Sequence, residues 1–131
     1  MTRIRTLVVD DEVVARETLV PLIEATGLAE VVAVASRVGQ ALEVLRDDTV
    51  DLVFLEIRLA GGENGLDVIR RLPAERRRPV FVIATGLDKE ALSGFALGVV
   101  DYLLKPVSRP RLERSLQRVA AMVAAPRMDA R

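Results

Sequence analysis

Five short apolar runs punctuate the chain, and amphipathic stretches separate them. Thr6–Val9, Val31–Ala35, Leu52–Leu55, Val80–Ala84 and Tyr102–Leu104 are short and rich in Val, Ile and Leu, with little polar alternation. Such runs suit strands buried on both faces, the pattern of a parallel sheet. Between them, apolar residues recur at helical spacing. From Asp11 to about Thr26, Val14, Leu19, Leu22 and Ile23 share one side; Gly27 is the stop, and Pro21 marks a kink or an early end. A second helix is predicted over Val38 to Arg46 with Ala41, Leu42 and Leu45 inward, and a third from Leu66 to Leu72, stopped by Pro73. A fourth covers about Lys89 to Leu97 and ends at Gly98. The fifth starts near Pro110, a good first-turn residue, and runs through the apolar positions Leu112, Leu116, Val119 and Met122.

Five βα units with short loops predict an α/β fold: a doubly wound, five-stranded parallel sheet with right-handed crossovers. Ligands bind such sheets at the carboxyl ends of the strands, near the point where strand order reverses. The residues just past each strand therefore carry the chemistry. The first strand ends in Asp10 and Asp11, the third in Glu56, the fourth in Thr85 and the fifth in Lys105 before Pro106. Three carboxylates, a hydroxyl and an ammonium converge on one edge. Clustered carboxylates repel one another unless a cation sits among them. Hard oxygen donors with room for water suit Mg²⁺. A Mg²⁺ flanked by a lysine and a hydroxyl is equipped to stabilise a phosphoryl group in transfer. Taken singly, each residue has a plainer use: an Asp at a strand end caps a helix, and a Thr bonds backbone. It is their arrival together, at one edge, that favours a built site.

Composition narrows the chemistry further. At 131 residues the chain is one domain with room for a real core, made of aliphatic residues because only 3% are aromatic. Basic and acidic residues balance at 19 each, which gives no argument for direct nucleic-acid or membrane binding. The absence of Cys and His removes thiol chemistry, imidazole catalysis and the usual zinc sites. No leader-like start or long apolar run appears, so a cytoplasmic protein is expected. Of the 19 basic residues only Lys89 and Lys105 are lysine, a compact point charge rather than a planar fork.

The words LVVDDE, DLVFLEIRLAGGENGLDVIRRL, VFVIATG and DYLLKPV together resemble the receiver domain of bacterial two-component response regulators, from Ile4 to about Ala121. The phrase FALGVVDYLLKPVSRPRL is most similar to regulators whose output is a LytTR-type DNA-binding domain. The resemblance implies a chemotaxis-regulator-like, flavodoxin-like (βα)5 fold of strand order 2-1-3-4-5. Residues 1–125 would form the receiver and 126–131 a tail or linker remnant. It implies that Asp10 and Asp11 hold Mg²⁺, with the Arg58 carbonyl as a third ligand and Glu56 beside them at the phospho-accepting position. Thr85 matches the switch hydroxyl, Tyr102 the aromatic that swings with it, and Lys105 the lysine that pairs with phosphoryl oxygens. Pro106 matches a proline that follows a cis bond. A sensor histidine kinase or phosphotransfer protein is the implied partner. A face made by the fourth helix, fifth strand and fifth helix would change on activation, as it does in family members that often dimerise through it, and the chain would be either a single-domain receiver or one cut from an effector domain after about residue 125. No enzymatic turnover is expected.

Three departures stand out. Ala60 replaces the family's usual proline, GGENG is one residue longer than the commonest loop, and Glu56 stands where the family has aspartate. The extra methylene displaces the carboxylate by about 1.5 Å, and a ~1 Å misplacement costs on the order of a hundredfold in rate. Phosphate acceptance is therefore expected to be weak or absent. Glu56 then reads as a substitute that places charge at the site, as part of an atypical receiver that signals by binding alone, or as a slow acceptor. One carboxylate supplies one negative charge against the nearly two of a phosphoryl group. Other classes are a phosphorylation-independent interaction module and a small Mg²⁺-dependent phosphohydrolase, for which this length leaves little room.

Overall fold

Backbone hydrogen bonding gathers the apolar runs into one sheet. The computed structural model describes residues 2–11, 13–47, 49–74, 78–86 and 95–124. Its strands are β1 (Ile4–Val9), β2 (Ala29–Ala35), β3 (Leu52–Leu55), β4 (Val80–Thr85) and β5 (Asp101–Leu104). They lie in the order β2-β1-β3-β4-β5, every pair parallel, as the sequence predicts. β3 shows why its run carries no polar alternation. Leu52 and Phe54 join one buried cluster, with Leu19, Ile23, Leu112 and Leu116, while Val53 and Leu55 join the other, with Ala41, Val68 and Ile69. Successive side chains point to opposite faces, and both faces are covered by helices.

The helices are α1 (Val13–Ala25), α2 (Val38–Val44), α3 (Asp67–Arg71) and a C-terminal helix (Arg109–Ala124). α1 neither stops nor breaks early at Pro21. Proline removes one backbone hydrogen bond, and the buried Leu19 and Ile23 on either side of it hold the helix to the sheet. Gly27 ends that segment at φ +72°, its N–H donating to the Glu24 carbonyl at 3.1 Å. The predicted fourth helix falls largely outside the described residues, as do Lys89, the side chain of Val14 and the boundary at residues 125 and 126. Its end is visible: Phe95 and Ala96 are helical, and Gly98 turns the chain at φ +95°.

Two expectations need correction. Only the central strands are buried on both faces: β2 and β5 form the edges, where Val34 and Leu104 are exposed. Met122 also faces outward, although it continues the apolar spacing of Leu112, Leu116 and Val119. It lies beside the inward stripe of the C-terminal helix, which continues from Val119 to Ala120 and Val123. Among the described residues, no helix is long and apolar enough to cross a membrane.

Candidate functional site at the carboxyl edge of the sheet

The strand register delivers the predicted residues to one place. Val9 of β1 lies opposite Leu55 of β3, so Asp10 and Glu56 emerge side by side. The ladder continues one step past each strand. Glu56 N–H donates to the Val9 carbonyl (2.9 Å), Asp10 N–H to Ala35 (3.0 Å) and Lys105 N–H to Thr85 (2.9 Å). These bonds fix the backbone from which three functional side chains project.

Lys105 spans the pocket. Its Nζ donates to Asp10 Oδ2 at 2.6 Å and to Glu56 Oε1 at 2.7 Å. Asp10 is 1% exposed and Glu56 4%, so little water competes for either carboxylate. Burial opposes the ammonium's charge, but the two carboxylates more than offset it and hold the Lys105 pKa above the ordinary lysine value. The other Glu56 oxygen, Oε2, accepts the N–H of Ile57 at 2.8 Å. The longer side chain thus takes up its extra methylene by turning back over its own peptide. Both of its oxygens are engaged, one by a cation and one by backbone.

The remaining predicted residues lie on or beside the same strands. Thr85 is fully buried at the end of β4, and Tyr102, opposite Ile83 in register, is half-buried against the cluster that holds Ile83 and Val99. Asp11 is half-exposed next to Asp10, and the Lys105–Pro106 peptide is cis. Past Glu56 the chain makes a small antiparallel turn. Leu59 N–H donates to Glu63 (3.0 Å) and Gly65 N–H to Ile57 (2.7 Å), bracketing an Arg58–Asn64 bridge. Gly61 and Gly62, at φ +73° and +77°, let the longer loop close. A Cβ on Gly65 would run into the Glu56 carbonyl oxygen, so glycine is required where the returning loop crosses the end of β3.

Oxygen donors of the right type for Mg²⁺ are present. Among the described residues no three Asp, Glu, His or Cys side chains gather closely enough to enclose a metal by themselves. Mg²⁺ does not need that, since it keeps several waters and takes one or two carboxylates. Asp10 and Asp11, with the Arg58 carbonyl at the same edge, fit such a partly hydrated ion. Bound there, it would supply positive charge to an incoming phosphoryl group.

Three contacts escaped the sequence. Arg16 Nη1 donates to the Asp10 carbonyl (2.7 Å) and to Ser36 Oγ (2.6 Å). Glu63, in the lengthened loop, accepts the first N–H of α2, from Val38, at 2.8 Å and pairs with Arg37 at 3.2 Å. Hydrogen bonds from Val38 and then Arg37 lower the Glu63 pKa. Asp101 and Arg111 form a two-pronged pair (2.7 and 3.1 Å) around Tyr102: Asp101 accepts the Tyr102 N–H and Arg111 donates to its carbonyl. Burial raises the Asp101 pKa, but Arg111 and the Tyr102 amide outweigh it and leave a net lowering. A DY pair followed ten residues later by Arg on a helix was the available signal for the last.

Comparison with known proteins bears on the family and the fold. A family model described as the response regulator receiver domain matches residues 6–117. The sensory transduction protein LytT of Bacillus subtilis is 36% identical over 115 residues, covering 88% of this chain and 47% of that protein. The transcriptional regulatory protein LytR of Staphylococcus aureus is 32% identical over 120 residues, covering 92% and 48%. The chain therefore spans about half the length of the curated relatives it matches. Among solved structures, the response regulatory domain of mrkE from Klebsiella pneumoniae superimposes with a TM-score of 0.81 at 26% identity, covering 91% of this chain and 97% of that one. The receiver domain of AraT from Geobacillus stearothermophilus gives 0.81 at 28% identity, covering 93% and 96%.

Proposed function

We propose, for a chain that belongs to the response regulator receiver domain family, that its acceptor position is already occupied by a paired carboxylate and takes up little or no phosphate. The observation that carries this is the Lys105 ammonium held between Asp10 and Glu56. In-line attack requires a carboxylate oxygen free to approach phosphorus in near-attack geometry. Glu56 has one oxygen on Lys105 and the other on the Ile57 amide. Its charge is present but committed.

On this reading the domain signals by shifting between conformations rather than by turning over a substrate. Two arrangements of the β4–β5 edge, read through Thr85 and Tyr102, are biased by charge at position 56 and by a bound partner. Asp10 and Asp11 hold Mg²⁺ with the Arg58 carbonyl. The partner is a sensor histidine kinase or a phosphotransfer protein in the cytoplasm, and the length of the matched relatives supports an effector domain attached to this receiver. The exposed Leu104 and Phe95 on the β5 side support a homodimer face there.

The test is intact mass after incubation with acetyl phosphate and Mg²⁺, for the protein and for Glu56→Asp. The variant is expected to gain a phosphoryl group and the protein to remain unmodified. Equal rates of gain would overturn the assignment of Glu56, and no gain in either would mean that the edge lacks acceptor chemistry.

A further inference from the structure

Asp10 is gripped by its backbone as well as by its carboxylate. Its N–H donates to Ala35 at the end of β2, and its carbonyl accepts Arg16 Nη1 at 2.7 Å. The same nitrogen donates to Ser36 Oγ at 2.6 Å, and the Ser36 N–H donates to Gln40 Oε1 at 2.8 Å. One guanidinium nitrogen in the first turn of α1 thereby joins the corner after β1 to the corner after β2. The plainer view is that Arg16 only ties two loops together.

Two features carry the reading further. The carbonyl that Arg16 holds belongs to the peptide linking Asp10 to Asp11, so fixing it fixes the plane from which the Asp11 residue departs. The charge is also well placed. Three carboxylates, Asp10, Asp11 and Glu56, share this edge, and Lys105 compensates only part of that charge. A half-buried guanidinium against the Asp10 carbonyl adds positive potential behind the acidic pair without occupying the carboxylates. Arginine suits this because its rigid fork is pre-organised and remains charged.

We infer that Arg16 is a positioning residue for the Asp10–Asp11 corner, setting that peptide so that the pair presents itself to one divalent cation. The inference rests on the reading of this corner as a Mg²⁺ site. Groups that orient metal ligands from behind typically contribute about 10–100-fold in affinity.

The experiment is Mg²⁺ binding by calorimetry, with the ion alone and no phosphodonor, on the full chain and on Arg16→Ala, Arg16→Lys and Asp11→Asn. Urea unfolding without Mg²⁺ establishes that each variant is folded. Arg16→Ala is expected to bind at least about tenfold more weakly while unfolding cooperatively, with Arg16→Lys recovering part of the loss because an ammonium can still reach the Asp10 carbonyl. Binding by Arg16→Ala within about twofold of the unsubstituted chain overturns the inference. If Arg16→Ala does not fold, Arg16→Met, which keeps the stem but removes the donor and the charge, decides on the same criterion. If the unsubstituted chain binds no Mg²⁺, the metal-site reading fails and takes this inference with it. If only Asp11→Asn loses binding, the site stands and Arg16 has no positioning part.

Discussion

Replacing Lys105 by Met removes the ammonium shared by Asp10 and Glu56 while keeping a side chain of similar reach. Asp10 and Glu56 side chains are 2% and 5% exposed and Lys105 is 17% exposed, so solvent screens the triad weakly. Deleting one partner of a buried pair costs about 3–5 kcal/mol because the uncompensated charge stays buried. Here two carboxylates lose the same cation, which places the expected loss in the upper half of that range. The pH dependence has a definite sign. The folded-state pKa of Lys105 lies above its unfolded value, so its stabilisation is complete below the ordinary lysine value of 10.5 and is lost as pH rises through the folded value. Urea unfolding without Mg²⁺, followed by far-UV circular dichroism because the chain has no Trp, reads both effects. The gap between protein and variant should be wide near neutrality and narrow at strongly alkaline pH. A neutral-pH loss below about 1 kcal/mol, or a gap that does not narrow in alkali, refutes the argument that Lys105 compensates two buried charges.

Two further substitutions probe the frame around the site. Gly65→Ala forces a Cβ against the Glu56 carbonyl, and overpacking of this kind costs about 1–3 kcal/mol; a thermal midpoint unchanged from the parent contradicts the close approach. Arg111→Ala leaves the buried Asp101 without its two-pronged partner, a loss of about 2 kcal/mol once the one-third exposure of the guanidinium is allowed for. Because the Asp101 pKa is lowered, that advantage is present above the unfolded value of 3.8 and fades as pH falls through the folded value. Parallel urea titrations at neutral and acid pH should show the two proteins converging in acid.

What the sequence disclosed follows the range of the interaction. β3 was legible because Leu52 to Leu55 are all apolar and alternate into two cores, leaving no polar position to confuse the pattern. The meeting of Asp10 with Lys105, 95 residues apart, was legible only through the topology: once the strand ends share an edge, so do the residues that follow them. Spacing on one element misled where tertiary coverage decides. Met122 follows Val119 at helical spacing but lies beside the stripe of Leu112, Leu116, Val119 and Val123 that faces the core, and Val34 belongs to a good strand that happens to be an edge. Pro21 predicted a kink or an early end; the helix does not end there, because packing on both sides of it outweighs one missing hydrogen bond. Glu63 and Arg16 gave no local signal, because Glu63 accepts the first N–H of α2, 25 residues away, and Arg16 bonds a backbone carbonyl six residues back.

Glu56 was legible as a misfit, but its conformation was not. The extra methylene predicted a displaced carboxylate, and the backbone supplied the remedy: the Ile57 amide draws one oxygen back while Lys105 takes the other. Substitution by aspartate shortens that reach by one methylene.

The central claim is that Lys105 is shared between Asp10 and the Glu56 side chain, and nuclear magnetic resonance of the lysine side chains tests it most directly. The chain has two lysines, so selective labelling gives two signals, and a Lys89→Arg variant assigns them. Lys105 is expected to titrate above the ordinary lysine value and to fall back toward it in Glu56→Gln. A Lys105 that titrates at or below the ordinary value, or that is indifferent to Glu56→Gln, contradicts the account.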